Sequence, residues 1–215
     1  MQRVEPLHLP LKEKCEFFLV NLSNIQQEEV DAASKVVDDI SLARAERFSF
    51  ERDRNRLLIA QAILRQKLGE LLNCKPSEVT ILRDDFGKPY IEGHLLHFSL
   101  SYSHHYALFA FCPDRLIGVD IEAINPDRVV LESPVLHEIE KNQIISGEDP
   151  IDSFYDYWCA KEALLKAMGT GFTEEKPPLL THVSYGVFSS EKPNAIVYTF
   201  TTHHHKIGVC LLEEE

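Results

Sequence analysis

The chain has 215 residues, 44% of them hydrophobic and 26% charged, with a net charge of −12. That balance excludes a disordered chain, a collagen and a coiled-coil rod, and it leaves apolar surface for one large domain or two small ones. The acidity argues against a nucleic-acid binder working by bulk electrostatics, and the longest apolar runs, Ala107–Cys112 and Leu116–Val119, fall far short of the roughly 20 residues that span a membrane. Met1–Pro10 lacks the apolar core of a signal peptide. The five cysteines (Cys15, Cys74, Cys112, Cys159, Cys210) are scattered without a C-x-x-C pair. This usage predicts a reducing cytoplasm and neither a disulfide nor a zinc framework.

In chain order, Cys15–Val20 reads as a strand and Glu29–Phe48 as a helix. A second helix is predicted over Arg52–Leu72, with Leu57, Ala60, Leu64, Leu68 and Leu71 spaced for one buried face. Strands follow at Val79–Leu82, His97–Tyr102 and Tyr106–Phe111. The second part repeats that order: a strand at Leu116–Glu122, a helix at Ser133–Ile145, and another helix with Asp149 as N-cap, Pro150 at N1 and Gly169 past its end. Strands at His182–Phe188, Ala195–Phe200 and Lys206–Leu211 complete it. His203-His204-His205 falls at an expected hairpin turn and reads as structural rather than as a metal site. These runs predict an α+β protein with two subdomains and a cleft between them.

Four stretches hold candidate chemistry. In Gly118-Val119-Asp120-Ile121-Glu122, strand alternation puts Asp120 and Glu122 on one face. Two carboxylates side by side suit Mg²⁺, which takes one or two carboxylates and completes its shell with phosphates and water. An amphipathic strand with a wet outer face would look the same. Trp158–Gly171 belongs to the helix whose apolar stripe is Ile151, Phe154, Trp158, Leu165 and Met168, with Glu162 at the stripe's edge and Lys166 one turn on. That pair fits a metal ligand or base beside a phosphate-binding lysine, and equally a helix-stabilising ion pair. Asp85-Phe86-Gly87-Lys88-Pro89-Tyr90 reads as a tight turn whose glycine lets backbone approach a flat ligand. Phe98–His105 is dense in hydroxyls and imidazoles. Arg44–Lys67 carries +4 in a chain whose remainder is −16, a basic island suited to a small polyanion or a solvated helix face.

Together and in this order, Gly87-Lys88-Pro89, Phe98–Ser103, Gly118–Glu122 and Trp158–Gly171 resemble the motifs of the 4′-phosphopantetheinyl transferases of the surfactin-synthetase-activating (Sfp) type. The resemblance implies two similar α+β halves related by a pseudo-twofold axis, here 1–115 and 116–215, with the active site between them. It implies Mg²⁺-dependent transfer of 4′-phosphopantetheine from coenzyme A to a serine of an acyl or peptidyl carrier protein, releasing adenosine 3′,5′-bisphosphate. Carried over, Asp120, Glu122 and Glu162 match the metal site. Glu162 also matches the group that takes the serine proton, and Lys166 the lysine at the pyrophosphate. Gly87, Lys88 and Pro89 match the segment beside the adenine, and Arg44 and Arg56 the 3′-phosphate contacts. Ser101 and Tyr102 fall in the phosphate-contacting motif, where Tyr102 replaces a histidine and Ser99 an asparagine. The implied protein is a cytoplasmic monomer with no nucleic-acid or membrane partner. A non-catalytic relative that binds coenzyme A or a carrier, and a metal-dependent nucleotide phosphohydrolase, are the alternatives.

Overall fold

The computed structural model describes residues 3–11, 14–93, 96–171 and 176–213. Its elements are strands β1 (Val4–Pro6) and β2 (Glu16–Asn21), helices α1 (Gln27–Ala33), α2 (Asp39–Glu46) and α3 (Glu51–Leu72), and strands β3 (Ile81–Arg83), β4 (Pro89–Ile91), β5 (His97–Ser103) and β6 (Tyr106–Cys112). Then come β7 (Leu116–Ala123), α4 (Glu138–Ser146), α5 (Pro150–Met168), β8 (Leu180–Ser184), β9 (Val187–Ser190), β10 (Ala195–Thr202) and β11 (His205–Leu212). One antiparallel sheet has the order β1-β2-β6-β5 and the other β7-β11-β10-β9-β8, with β3-β4 a small ribbon. Within these, β2-β6-β5 and β7-β11-β10 repeat one plan, in which the first long strand of a half pairs with its last and that with its penultimate. The protein is α+β and built of two similar halves.

Strand alternation explains how the layers stack. Phe18 and Val20 of β2, with Phe109 and Phe111 of β6, turn toward α3. Phe17, Leu19 and Leu108 turn the other way, onto Ile117, Val119, Ile121, Ile207 and Val209 of the second sheet. The other face of that sheet lies under α5. Close approach there depends on two glycines: a Cβ at Gly118 would stand 2.0 Å from Ala163 O, and one at Gly208 2.1 Å from Cys159 O. The buried side of α5 is accordingly broader than the expected stripe and runs through Ala160, Ala163, Leu164 and Ala167, while Ile151, Trp158 and Met168 are only partly buried. Its caps are as expected. Asp149 accepts from Ile151 N and Asp152 N at 3.0 and 3.1 Å, and Gly169 closes the helix at φ 74°.

Several expectations need correction. The helix expected over Glu29–Phe48 is two, because Asp38 breaks it by accepting from Ser41 N at 2.7 Å and capping a new start. Leu71, expected in the buried face of α3, is 39% exposed. The strand expected at His182–Phe188 is the β8–β9 hairpin, turned at Gly186 with φ 66°. The helix expected from Ser133 begins at Glu138. The absence of a disulfide is also overturned, since Cys15 and Cys112 are bonded with Cα atoms 4.4 Å apart. The register explains it: Glu16 pairs with Phe111, so the preceding and following cysteines face each other across β2 and β6. His203 and His204 do form the β10–β11 turn, with φ of 47° and 60°.

Candidate active site

The two halves meet where β5 runs beside β7, and serines join them. Ser99, Ser101 and Ser103 alternate onto one face of β5 and are all buried. Ser99 Oγ accepts from Val119 N at 3.0 Å and Ser103 Oγ from Ala123 N at 2.9 Å. Between them Ser101 Oγ donates to Asp120 Oδ1 at 2.7 Å. Lys166 Nζ, reaching over from α5, donates to the same Asp120 oxygen at 2.7 Å and to Ser101 Oγ at 2.9 Å. Asp120 is 3% exposed, so the strand is not wet on its polar face: α5 covers it.

This node holds more negative charge than Lys166 balances. Burial, then the Asp120 charge, pushes Glu122 and Glu162 each up to about 7, with Lys166 opposing both shifts. Burial works against the Lys166 charge, but bonded Asp120 prevails and raises its pKa. Asp120 Oδ2 is buried without a hydrogen-bond partner. Ser103 Oγ reaches Glu122 Oε2 at 3.4 Å. Among the described residues no three of His, Cys, Asp and Glu form a ready metal cage. What is present is an orphaned hard oxygen with acidic neighbours, a donor set that fits a cation sharing its shell with phosphate oxygens.

A cleft of about 280 Å³ opens beside the node. Arg44, Tyr102 and Lys166 line it, and Gly87-Lys88-Pro89 forms one wall. That wall is an Asx turn: Asp84 Oδ1 accepts from Phe86 N at 3.0 Å and Lys88 N at 2.8 Å, and Gly87 takes φ 83°. Lys88 Nζ donates to Ala167 O at 2.7 Å, tying the turn to the end of α5. Arg83, which the sequence reading passed over, also lines the cleft and braces the turn through Gly87 O at 2.7 Å. Arg56 lies elsewhere. It bonds His105 Nδ1 at 2.6 Å and Asp53 at 3.2 Å, in a separate cleft with Arg52. The structure therefore separates Arg56 from Arg44.

A second missed feature orients α5. Lys161 and Glu140 are fully buried and paired at 2.8 Å. Lys161 also donates to Pro178 O at 2.6 Å, while Glu140 accepts from Leu180 N and His137 N. Burial lowers the Lys161 pKa, against the pull of Glu140. Lys161→Ala strands the Glu140 charge, so denaturant unfolding should show a loss of about 3–5 kcal/mol. A loss under about 1 kcal/mol would remove the pair from the account of how α5 is held.

Comparison with known proteins bears on the chemistry of this cleft. Residues 116–211 match the 4′-phosphopantetheinyl transferase superfamily, and residues 23–114 match the N-terminal part described for 4′-phosphopantetheinyl transferases. The 4′-phosphopantetheinyl transferase HetI of Nostoc sp. is 32% identical over 173 residues, covering 76% of this chain and 72% of that protein. The chain belongs to the 4′-phosphopantetheinyl transferases. The transferase ffp of Bacillus subtilis is 28% identical over 152 residues, covering 69% and 67% of the two chains. The L-aminoadipate-semialdehyde dehydrogenase-phosphopantetheinyl transferase of Xenopus laevis is 29% identical over 140 residues, covering 58% and 46%. This transferase is thus an enzyme whose class moves phosphopantetheine to carrier proteins. Among its described residues no helix is long and apolar enough to cross a membrane.

Proposed function

We propose that this transferase takes 4′-phosphopantetheine from coenzyme A, places it on a serine of an acyl or peptidyl carrier protein, and releases adenosine 3′,5′-bisphosphate with Mg²⁺ as cofactor. The observation behind this reading is the Ser101–Asp120–Lys166 node, with Glu122 and Glu162 beside it, opening into a cleft with cationic walls.

In this reading Asp120, through Oδ2, and Glu122 and Glu162 would hold the metal. When bound, Mg²⁺ neutralises charge on the pyrophosphate and so eases departure of the leaving oxygen. Lys166 holds a pyrophosphate oxygen with the one proton not committed to Asp120 and Ser101. Glu162 accepts the proton of the acceptor serine as its oxygen attacks the β-phosphorus. The bond from that phosphorus to the bridging oxygen breaks, and the electron pair leaves with adenosine 3′,5′-bisphosphate. Lobes 1–115 and 116–215 close the two sides of the site. Gly87-Lys88-Pro89, one wall of the cleft, would lie beside the adenine.

A hydrolase built on the same carboxylates would release nucleotide without an acceptor. Chromatography of the products separates the two: adenosine 3′,5′-bisphosphate should form in step with acceptor modification and stop when the acceptor is omitted. Steady release without acceptor would replace transfer by hydrolysis.

A further inference from the structure

Besides the node at Asp120, α5 covers a second polar cluster. Lys206 of β11 is 2% exposed, and its Nζ lies 2.8 Å from Asp152 Oδ1 and 2.9 Å from Asp156 Oδ1. The two aspartates stand four residues apart on α5, a spacing at which like charges repel. The ammonium between them removes that conflict. Burial works against the Lys206 charge, but its bonds to Asp152 and Asp156 outweigh burial and raise its pKa.

Strand register brings this cluster beside the candidate metal site. Lys206 pairs with Glu122 across β11 and β7, so the two side chains leave the sheet on the same face. Their neighbours Ile207 and Ile121 turn to the opposite face and join the core between the two sheets. The Lys206 face is the one under α5, where Gly208 meets Cys159 O. An ammonium and a carboxylate placed directly across two antiparallel strands stand close enough to pair. Among the described residues, however, Lys206 makes its ion pairs with the two aspartates and none with Glu122. Glu122 keeps only the Ser103 hydroxyl at 3.4 Å as a side-chain hydrogen-bond partner. In the polar layer between α5 and the sheet, the direction Lys206 takes therefore decides whether Glu122 is neutralised.

We propose that Asp152 and Asp156 are positioning residues that hold the Lys206 ammonium off Glu122 and so keep that carboxylate free for the divalent cation. The inference rests on the proposed function, in which Glu122 is a metal ligand. A carboxylate engaged by an ammonium must give up a charge-assisted bond before it can ligate Mg²⁺. Asp152 and Asp156 take that bond instead, at the far end of α5 from Lys166.

The test is calorimetric titration of the whole protein with Mg²⁺ at saturating coenzyme A. Wild type should bind Mg²⁺. Asp152→Asn with Asp156→Asn keeps the side-chain shapes and removes both charges, so Lys206 should turn to Glu122 and Mg²⁺ should bind roughly tenfold more weakly. Adding Lys206→Met to that variant removes the competing ammonium and should return the affinity to near the wild-type value. A role confined to holding α5 predicts the reverse, with the triple variant binding most weakly, and that result overturns the proposal. Unchanged affinity in the double variant overturns it too. In a Glu122→Gln background the two asparagines should cause no further loss; a further loss there means that the aspartates act only as bulk charge, and contradicts the assignment. Where the double variant does not fold, Asp156→Asn alone should weaken Mg²⁺ severalfold and Lys206→Met should again restore it. Wild type that takes up no Mg²⁺ overturns the metal reading and this assignment with it, whereas wild-type binding indifferent to Asp152 and Asp156 overturns this assignment alone.

Discussion

Replacing Asp120 with alanine should reduce transfer at least about a hundredfold, the scale seen when one group that stabilises developing charge is lost. The protein should still fold. Removing Asp120 takes partners from Ser101 and Lys166, but it also removes the negative charge that helps push Glu122 and Glu162 up to about 7. These effects on stability oppose each other, whereas both effects on chemistry are harmful: the orphaned Oδ2 is gone and Lys166 loses its anchor. Thermal unfolding with and without Mg²⁺ isolates the metal part, because binding to the folded state alone raises the melting temperature. Wild type should be stabilised by Mg²⁺ and Asp120→Ala should not. Equal stabilisation of both, or transfer undiminished by EDTA, would contradict a metal site at Asp120.

Glu162→Gln should also abolish measurable transfer, and for a separate reason. The amide nearly matches the carboxylate in shape but accepts no proton and is a poorer ligand for Mg²⁺. General-base catalysis contributes about 10²–10⁴-fold. Coenzyme A binding at saturating Mg²⁺ should persist in this variant, since the cleft that holds Arg44, Lys88 and Tyr102 is not lined by Glu162. Loss of binding together with turnover would assign Glu162 to metal retention alone. A near-wild-type rate would remove it from the mechanism.

Features that depend on neighbours in sequence were legible. Asp149, Pro150 and Gly169 bound α5 because caps are local chemistry, and alternation correctly put Asp120 and Glu122 on one face of β7. Features made by distant segments were not. Whether the Asp120 face met water or protein depended on α5 lying over Gly118, which no strand pattern reveals. Arg83 went unmarked in the sequence, and the structure brings it to Arg44 on α2 and Tyr102 on β5. Gln61 lies in a helix read only for its apolar face, and its hydrogen-bond partner Tyr102 is 41 residues away. Lys161 stands next to Glu162 in sequence but about 100° around the helix from it, pointing into the core at Glu140. Cys15 and Cys112 are 97 residues apart and meet only through the β2–β6 register.

Intact mass of an apo-carrier protein, incubated with this transferase, coenzyme A and Mg²⁺, tests the central claim most directly. The carrier should gain the mass of one phosphopantetheine, the gain should map to a serine, and it should be lost with Asp120→Ala, with Glu162→Gln and in EDTA. A panel of fatty-acid, polyketide and peptide-synthetase carriers that all keep their apo mass, with a protein that is folded and binds coenzyme A, would contradict it.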